Sequence, residues 1–294
     1  MTIKTVLILS PGEMGAAVGN VFHENGFEIL GILQGRSEAT RNRAKTAGFG
    51  DAKTLEAGIK RADIIFSILP PAEALSTASS VATVMKSLER HLPYVDCNAI
   101  SPDTAKEVAR VIEAAGGNPI DGGIVGNPPG GSPKPTRFFV SGPSAATLDI
   151  FDGKGIAVKQ CGPHIGQGSA VKMVYAGITK GVSALCANML IAAERLGVAD
   201  IAHEEFQYSQ EALYRRMENL TPALPAVSER YIGEMEEIAL TCQSIGLSSG
   251  FHDGAADLYR LMERSPYANE IRETVDKKRG LRATIKGCSE VDDF

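Results

Sequence analysis

Short apolar runs separated by stretches of helical period fill the first half of the chain, and this alternation constrains the fold more than any other feature. Val6-Leu7-Ile8-Leu9, Glu28-Ile29-Leu30-Gly31-Ile32-Leu33, Asp63-Ile64-Ile65-Phe66-Ser67-Ile68-Leu69, Tyr94-Val95-Asp96 and Phe138-Phe139-Val140 read as strands. Segments such as 15–25 and 41–47, between the first three, carry helical periodicity. Strands alternating with helices imply crossover connections and so a parallel, doubly wound sheet. After Pro163 the strand-like runs stop. Helical patterns follow over 166–196, 201–220, 226–245 and 254–262, separated by breakers that include Gly197, Thr221-Pro222, Pro225 and Gly246. The expected architecture is an α/β Rossmann-type domain over 1–163 and an all-α domain over 164–294. A length of 294 residues suits two domains.

Charge and composition narrow the function classes. Thirty basic residues against thirty-five acidic give a net charge of −5. That balance lacks the concentrated positive face that a nucleic acid or an anionic membrane requires. With 44% hydrophobic and 22% charged residues, wholesale disorder is excluded. No uninterrupted apolar run approaches the ~20 residues of a membrane span. The opening Met1-Thr2-Ile3-Lys4-Thr5 has no signal-peptide layout, so a cytoplasmic protein is expected. Cys97, Cys161, Cys186, Cys242 and Cys288 are odd in number and scattered, which fits reduced thiols rather than a disulfide framework. His23, His91, His164, His203 and His252 show no metal-ligand spacing, and no metal is expected.

The first strand ends in Ser10-Pro11-Gly12-Glu13-Met14-Gly15, where a helix opens. Gly12 lets the backbone approach a pyrophosphate, Gly15 lets the helix pack closely, and the helix N-terminus offers N–H donors and positive dipole. Ser10 stands where G-x-G-x-x-G has its first glycine, so the same turn also fits simple packing without a ligand. The second strand ends in Gln34-Gly35-Arg36-Ser37. An NAD site usually has an acid there for the ribose hydroxyls. Arg36 instead offers a guanidinium fork and Ser37 a hydroxyl for a 2′-phosphate, which favours NADP while leaving NAD possible.

The run Gly166-Gln167-Gly168-Ser169-Ala170-Val171-Lys172 feeds the longest helical pattern. Lys172, Tyr175, Ala176, Thr179 and Ser183 share one stripe of that helix at 3.6 residues per turn, more polar than the faces carrying Met173, Val174, Ile178, Leu185 and Met189. A lysine so placed can shuttle a proton, although a snorkelling surface lysine satisfies the same pattern.

Together these segments resemble the β-hydroxyacid dehydrogenase superfamily, which includes 3-hydroxyisobutyrate and 6-phosphogluconate dehydrogenases. Ser10 to Gly15 stands where the family has G-x-G-x-M-G, and Arg36-Ser37 where many members have Asn-Arg-Thr. Leu69-Pro70-Pro71 matches a loop that passes under the nicotinamide. Asp96-Cys97-Asn98-Ala99-Ile100-Ser101-Pro102 is similar to D-S-S-T-I-S-P. Gly166-Gln167-Gly168 with Lys172 resembles G-x-G-x-x-x-K, whose lysine is the acid/base. The resemblance implies cofactor contacts at Ser10, Gly12, Glu13, Met14, Gly15, Arg36, Ser37, Leu69, Pro70 and Asn98. It implies proton transfer at Lys172, with Tyr175 and Thr179 nearby on the helix. Asn98 fits an ordinary turn as well as a ribose contact. The resemblance also implies a homodimer built through the helical domain.

The substrate motif D-x-P-V-S-G-G appears as Asp121-Gly122-Gly123-Ile124-Val125-Gly126-Asn127. Gly122, Gly123 and Val125 thus take the substrate-loop positions, with Val125 replacing a carboxylate-binding serine. Tyr175 and Ala176 stand where two asparagines usually follow the lysine, and Glu234, Glu236 and Glu237 fill a region that otherwise carries a Lys–Asp pair. The Pro/Gly-rich run 127–135 fits either an active-site lid or a plain surface connection. The stretches at 234–239 and 254–260 resemble a poorly characterised branch with a C-terminal domain of unknown function. The expectation is an NADP-preferring oxidoreductase acting on a small 3-hydroxy acid or its keto form. Two alternatives are an imine reductase of the same fold and a non-catalytic NADP(H)-binding sensor.

Overall fold

A computed structural model describes residues 2–131, 133–271, 274–276 and 278–292. Eight strands form one sheet: β1 (Thr5–Ile8), β2 (Glu28–Gly31), β3 (Phe49–Asp51), β4 (Ile64–Ser67), β5 (Pro93–Asp96), β6 (Asn118–Val125), β7 (Thr136–Ser141) and β8 (Ile156–Gly162). Their order is β3-β2-β1-β4-β5-β6-β7-β8. Strands β1 to β6 are parallel, joined by α1 (Glu13–Glu24), α2 (Glu38–Thr46), α3 (Leu55–Arg61), α4 (Ala74–Ser87) and α5 (Pro102–Ala114). Chain order reverses between β1 and β4, the switch point at which such sheets bind ligands outside their carboxyl ends.

The expected parallel, doubly wound sheet is present, with one antiparallel pairing towards one edge. β7 runs antiparallel to β6, because 126–135 returns the chain without a crossover, and β8 then runs parallel to β7. Three strands go beyond the sequence reading. β3 is three residues long, β6 carries Pro119, Gly122 and Gly123, and β8 is an edge strand with polar outer positions. Residues of β1 and Leu9 just after it alternate between two cores. Val6 and Ile8 join Phe22, Phe66 and Phe151 on one face, while Leu7 and Leu9 join Ile65, Tyr94, Met85 and Ile112 on the other. Burial on both faces is why these strands read as continuous apolar runs.

The remaining helices are α6 (Gln167–Arg195), α7 (Ala199–Ser209), α8 (Glu211–Leu220), α9 (Ser228–Ser244), α10 (Gly250–Glu263) and α11 (Leu281–Ser289). The helix expected over 201–220 is two helices broken at Gln210, and α11 was not foreseen. The chain divides into two compact units, Met1–Met173 and Val174–Phe294. The first holds the sheet, its helices and the opening turns of α6. In the second, Tyr259 Oη donates to the Lys180 carbonyl at 2.8 Å, and the Lys180 ammonium pairs with the buried Glu234 carboxylate. That ammonium also lies 4.1 Å from the Tyr231 ring centroid. Contrary to the reading of uninterrupted runs, α6 is long and apolar enough to cross a membrane by length and composition. Half of its most apolar window is nonetheless buried within the fold, as in a core helix.

Candidate active site

The sequence-predicted residues of the first unit gather along one edge of the sheet, at the carboxyl ends of β1, β2, β4, β5 and β6. At the first of these ends, the N-cap of α1 is Gly12, which has no side-chain cap, and the first intrahelical bond runs from Ala16 N–H to the Gly12 carbonyl at 2.9 Å. The preceding N–H groups of the helix have no intrahelical acceptor. A Cβ on Gly12 would meet nothing within 4 Å, whereas one on Gly15 would lie 2.2 Å from the Ser10 carbonyl oxygen. Gly15 is thus required for packing, and Gly12 keeps space open in front of the helix. Glu13 at the start of α1 is exposed, and Met14 packs against the first core.

Arg36 Nη2 reaches back from the end of β2 to the Leu9 carbonyl at 3.4 Å, which brings its guanidinium to the glycine turn. Arg41 donates to the Arg36 carbonyl, adding a second cation there. Ser37 is the N-cap of α2, its Oγ accepting from Thr40 N–H at 3.3 Å. Its hydroxyl therefore has a structural duty besides any ligand contact.

Leu69 and Pro70 follow β4, and Asn98 follows β5. Asn98 is only 1% exposed. Its Oδ1 accepts from Leu69 N–H at 2.6 Å, and its Nδ2 donates to Ser67 Oγ at 3.0 Å and to Asp96 Oδ2 at 2.9 Å. Both amide hydrogens are spent inside the protein, so Asn98 ties two loops together rather than presenting its amide to a ribose. Asp96 is buried under this tie. Burial chiefly, and then the Asp121 carboxylate, push its pKa up to about 7 against the bonds from Asn98. The same burial pushes the Cys97 thiol well up, so it stays protonated.

Asp121 on β6 has a role that sequence reasoning missed. Its Oδ2 accepts from Gly166 N–H and Ser169 N–H at 3.0 Å each and from Ser141 Oγ at 2.7 Å, and its Oδ1 accepts from Ser169 Oγ. Ser141 Oγ in turn accepts from Gly168 N–H at 3.0 Å. The N-terminus of α6 is thus closed by side chains of β6 and β7, unlike that of α1. The partners lie 45 and 48 residues apart, a spacing that no local motif reveals.

Lys172 follows on α6, and its Nζ donates to the Ile124 carbonyl at the end of β6 at 2.8 Å. Gly122 and Gly123 make that approach possible. A Cβ on Gly123 would lie 2.5 Å from the Gly168 carbonyl oxygen and 2.8 Å from Lys172 Cβ, and one on Gly122 would lie 3.0 Å from the Asp96 carbonyl oxygen. The role of the pair in this structure is close packing. Val125 is 2% exposed and carries no polar side-chain atom. The run 127–135 borders a cavity of about 370 Å³ that Lys134, Thr136 and Asp152 help to line. Ser132 of that run lies outside the described residues. In the second unit, Tyr175 is half exposed, and Thr179 Oγ1 donates to the Tyr175 carbonyl at 2.9 Å, a back-bond within α6. Among the described residues no cluster of His, Cys, Asp and Glu is arranged to hold a metal ion.

The sheet order, the switch point and the open glycine turn define a dinucleotide-binding domain of Rossmann type. Residues 8–152 match the NAD-binding domain of 6-phosphogluconate dehydrogenase, and residues 193–262 match a domain of unknown function, DUF1932. The mitochondrial 3-hydroxyisobutyrate dehydrogenase of Drosophila melanogaster is 25% identical, over 84% of this chain and 77% of that protein. The solved structure of MTH1747, a conserved protein of unknown function described as similar to 3-hydroxyacid dehydrogenases, aligns with TM-score 0.65 and 26% identity, over 88% and 96% of the two chains. An imine reductase from Myxococcus stipitatus in complex with NADP+ shares the fold at TM-score 0.54 and 19% identity, over 90% and 95%. The chain thus combines an NAD-binding domain of the 6-phosphogluconate dehydrogenase kind with this domain of unknown function, the makeup of a hydroxyacid-dehydrogenase-like oxidoreductase.

Proposed function

We propose that this chain is an NADP-preferring oxidoreductase of small 3-hydroxy acids or their keto forms, with Lys172 as acid/base. The observation that carries the reading is the Lys172 ammonium, held 2.8 Å from the Ile124 carbonyl at the strand-end edge that also bears the glycine turn. The open space at Gly12 and the donors at the start of α1 fit a pyrophosphate, and the Arg36 guanidinium beside them fits a 2′-phosphate. A nicotinamide cofactor, when bound, supplies hydride acceptance and return. The carbonyl of Ile124 orients one Lys172 N–H, leaving the ammonium tethered while it exchanges a proton with a substrate oxygen. In oxidation the neutral amine form of Lys172 takes the hydroxyl proton as the carbonyl forms and becomes the ammonium, and in reduction the ammonium returns that proton.

The apolar row on α6 supports a homodimer. Val174, Ile178, Leu185 and Met189 are each at least half exposed and recur at helical spacing. Sedimentation at micromolar concentration should give twice the 31.1 kDa chain mass. All five cysteines are free, which suits a cytoplasmic enzyme. The deciding experiment is a panel of hydroxy acids and cyclic imines assayed with NADP(H) and NAD(H). Turnover of hydroxy acids with NADP supports the reading. Turnover of imines alone favours the imine reductase, for which the hydroxyl of the half-exposed Tyr175 is a donor.

A further inference from the structure

Val125 has no hydrogen-bonding side-chain atom, so a substrate carboxylate at this edge needs another partner. The antiparallel register supplies one. Asp121 pairs with Ser141, Gly123 with Phe139 and Val125 with Arg137. Residues directly opposite project from the same sheet face, and every second residue repeats that face. The bond between Ser141 Oγ and Asp121 fixes which face this is, because Asp121 also binds the N-terminus of α6. Gly123 confirms it, since a Cβ there would run into Lys172 Cβ. Arg137 therefore projects from the face covered by the opening turns of α6, directly across from Val125. The Lys172 ammonium sits one residue earlier, on the Ile124 carbonyl. Adjacent strands are about 4.8 Å apart. Lysine and arginine thus flank the same strand end.

A further observation favours a ligand for Arg137. Its side chain is part-buried, yet it makes no hydrogen bond or ion pair among the described residues. The guanidinium lies beside Gly126, where φ is +120° and an added Cβ would be in ordinary van der Waals contact with Arg137 Nη2 at 3.7 Å.

We infer that Arg137 is the carboxylate-binding residue of the site, gripping the acid group of a short hydroxy acid whose hydroxyl meets Lys172. The inference rests on the acid/base reading of Lys172. A guanidinium binds a carboxylate through two parallel N–H···O bonds, and a 3-hydroxy acid carries both the acid group for Arg137 and the hydroxyl for Lys172. Arg137 would thereby select acids over the corresponding neutral alcohols or amides.

The test is calorimetric binding of 3-hydroxypropanoate and of its uncharged analogue 3-hydroxypropanamide to the NADP-saturated full chain. The unmodified protein should bind the acid at least about tenfold more tightly than the amide. Arg137→Gln should abolish that preference and leave the amide affinity unchanged, and Arg137→Lys should retain part of it, with melting temperatures unaltered. Equal affinity for acid and amide in the unmodified protein, no binding of the acid, or an undiminished preference in Arg137→Gln would overturn the proposal. Should Arg137→Gln not fold, a full preference in Arg137→Lys would count against the bidentate grip. Imine turnover combined with Arg137-dependent acid binding would sink the hydroxy-acid reading and keep the anion site. Hydroxy-acid turnover that ignores Arg137→Gln would do the reverse.

Discussion

Asp121 and Ser169 are bonded twice, through the Ser169 backbone N–H at 3.0 Å and through its hydroxyl, and this pair pins the start of the lysine-bearing helix to β6. A carboxylate at a helix N-terminus is favoured by the dipole and by the unsatisfied N–H groups. Here the carboxylate comes from a strand rather than from the helix's own N-cap.

Replacing Asp121 with alanine strands the Gly166 and Ser169 N–H groups and the Ser141 hydroxyl in a buried setting. Each orphaned donor costs about 1–3 kcal/mol. Urea denaturation should show a loss of roughly 3 kcal/mol or more for Asp121→Ala, and a smaller loss for Asp121→Asn, whose oxygen still accepts. A stability within 0.5 kcal/mol of the unmodified protein, on the order of a neutral surface change, would contradict this account.

Gly12 and Gly15 separate binding from folding. Gly12→Ala adds a methyl group into open space, so the melting temperature should stay constant while NADP affinity falls by at least about tenfold. Gly15→Ala forces a methyl group against the Ser10 carbonyl and should lower both stability and affinity. Equal behaviour of the two variants in thermal melts would refute the distinction.

Arg36→Ala should weaken NADP by about 10–100-fold, the usual worth of a charge-assisted hydrogen bond, and leave NAD within about twofold. Fluorescence titration with both cofactors reads this directly. If the unmodified protein binds both cofactors equally, Arg36 has no selective role.

The sequence made β1, β2, β4, β5 and β7 legible because apolar residues concentrate in strands covered on both sides. It hid β6, where Gly122 and Gly123 trade strand propensity for the approach of β5 and α6. The break between α7 and α8 at Gln210 carries no glycine or proline, so nothing local announced it. The glycine turn, Arg36 and Lys172 were readable as local motifs. Asp121 and Arg137 were not, because their significance depends on strand register and on helix packing.

Asp96 gives a pH-dependent prediction. Its folded pKa, about 7, lies above the usual carboxylate value of 3.8, so the folded state holds the proton more tightly than the unfolded chain. The contribution is fully present below about pH 3.8 and is lost as pH rises through 7, because ionising the buried acid is costly. The stability of Asp96→Asn relative to the unmodified protein should therefore rise between pH 4 and pH 7, with a slope of at most about 1.4 kcal/mol per pH unit, and then level off. A pH-independent difference would show that Asp96 does not titrate in this window.

Lys172 and Tyr175 lie three residues apart on α6 and compete for the role of proton donor. If Lys172 is the acid/base, Lys172→Ala should lower turnover by about 10²–10⁴-fold, the usual contribution of such a group. NADP affinity should remain near its original value, because the residues proposed to hold the phosphates lie at the β1 and β2 ends. The loss should appear in kcat more than in KM, since proton transfer acts in the transition state. Tyr175→Phe removes only the hydroxyl of a half-exposed residue and should retain most of the activity. Steady-state kinetics on both variants, with the best substrate from the hydroxy-acid and imine panel, decides between them. Full activity in Lys172→Ala with loss in Tyr175→Phe would transfer the proton to the tyrosine, and with it the balance from hydroxy-acid oxidation to imine reduction.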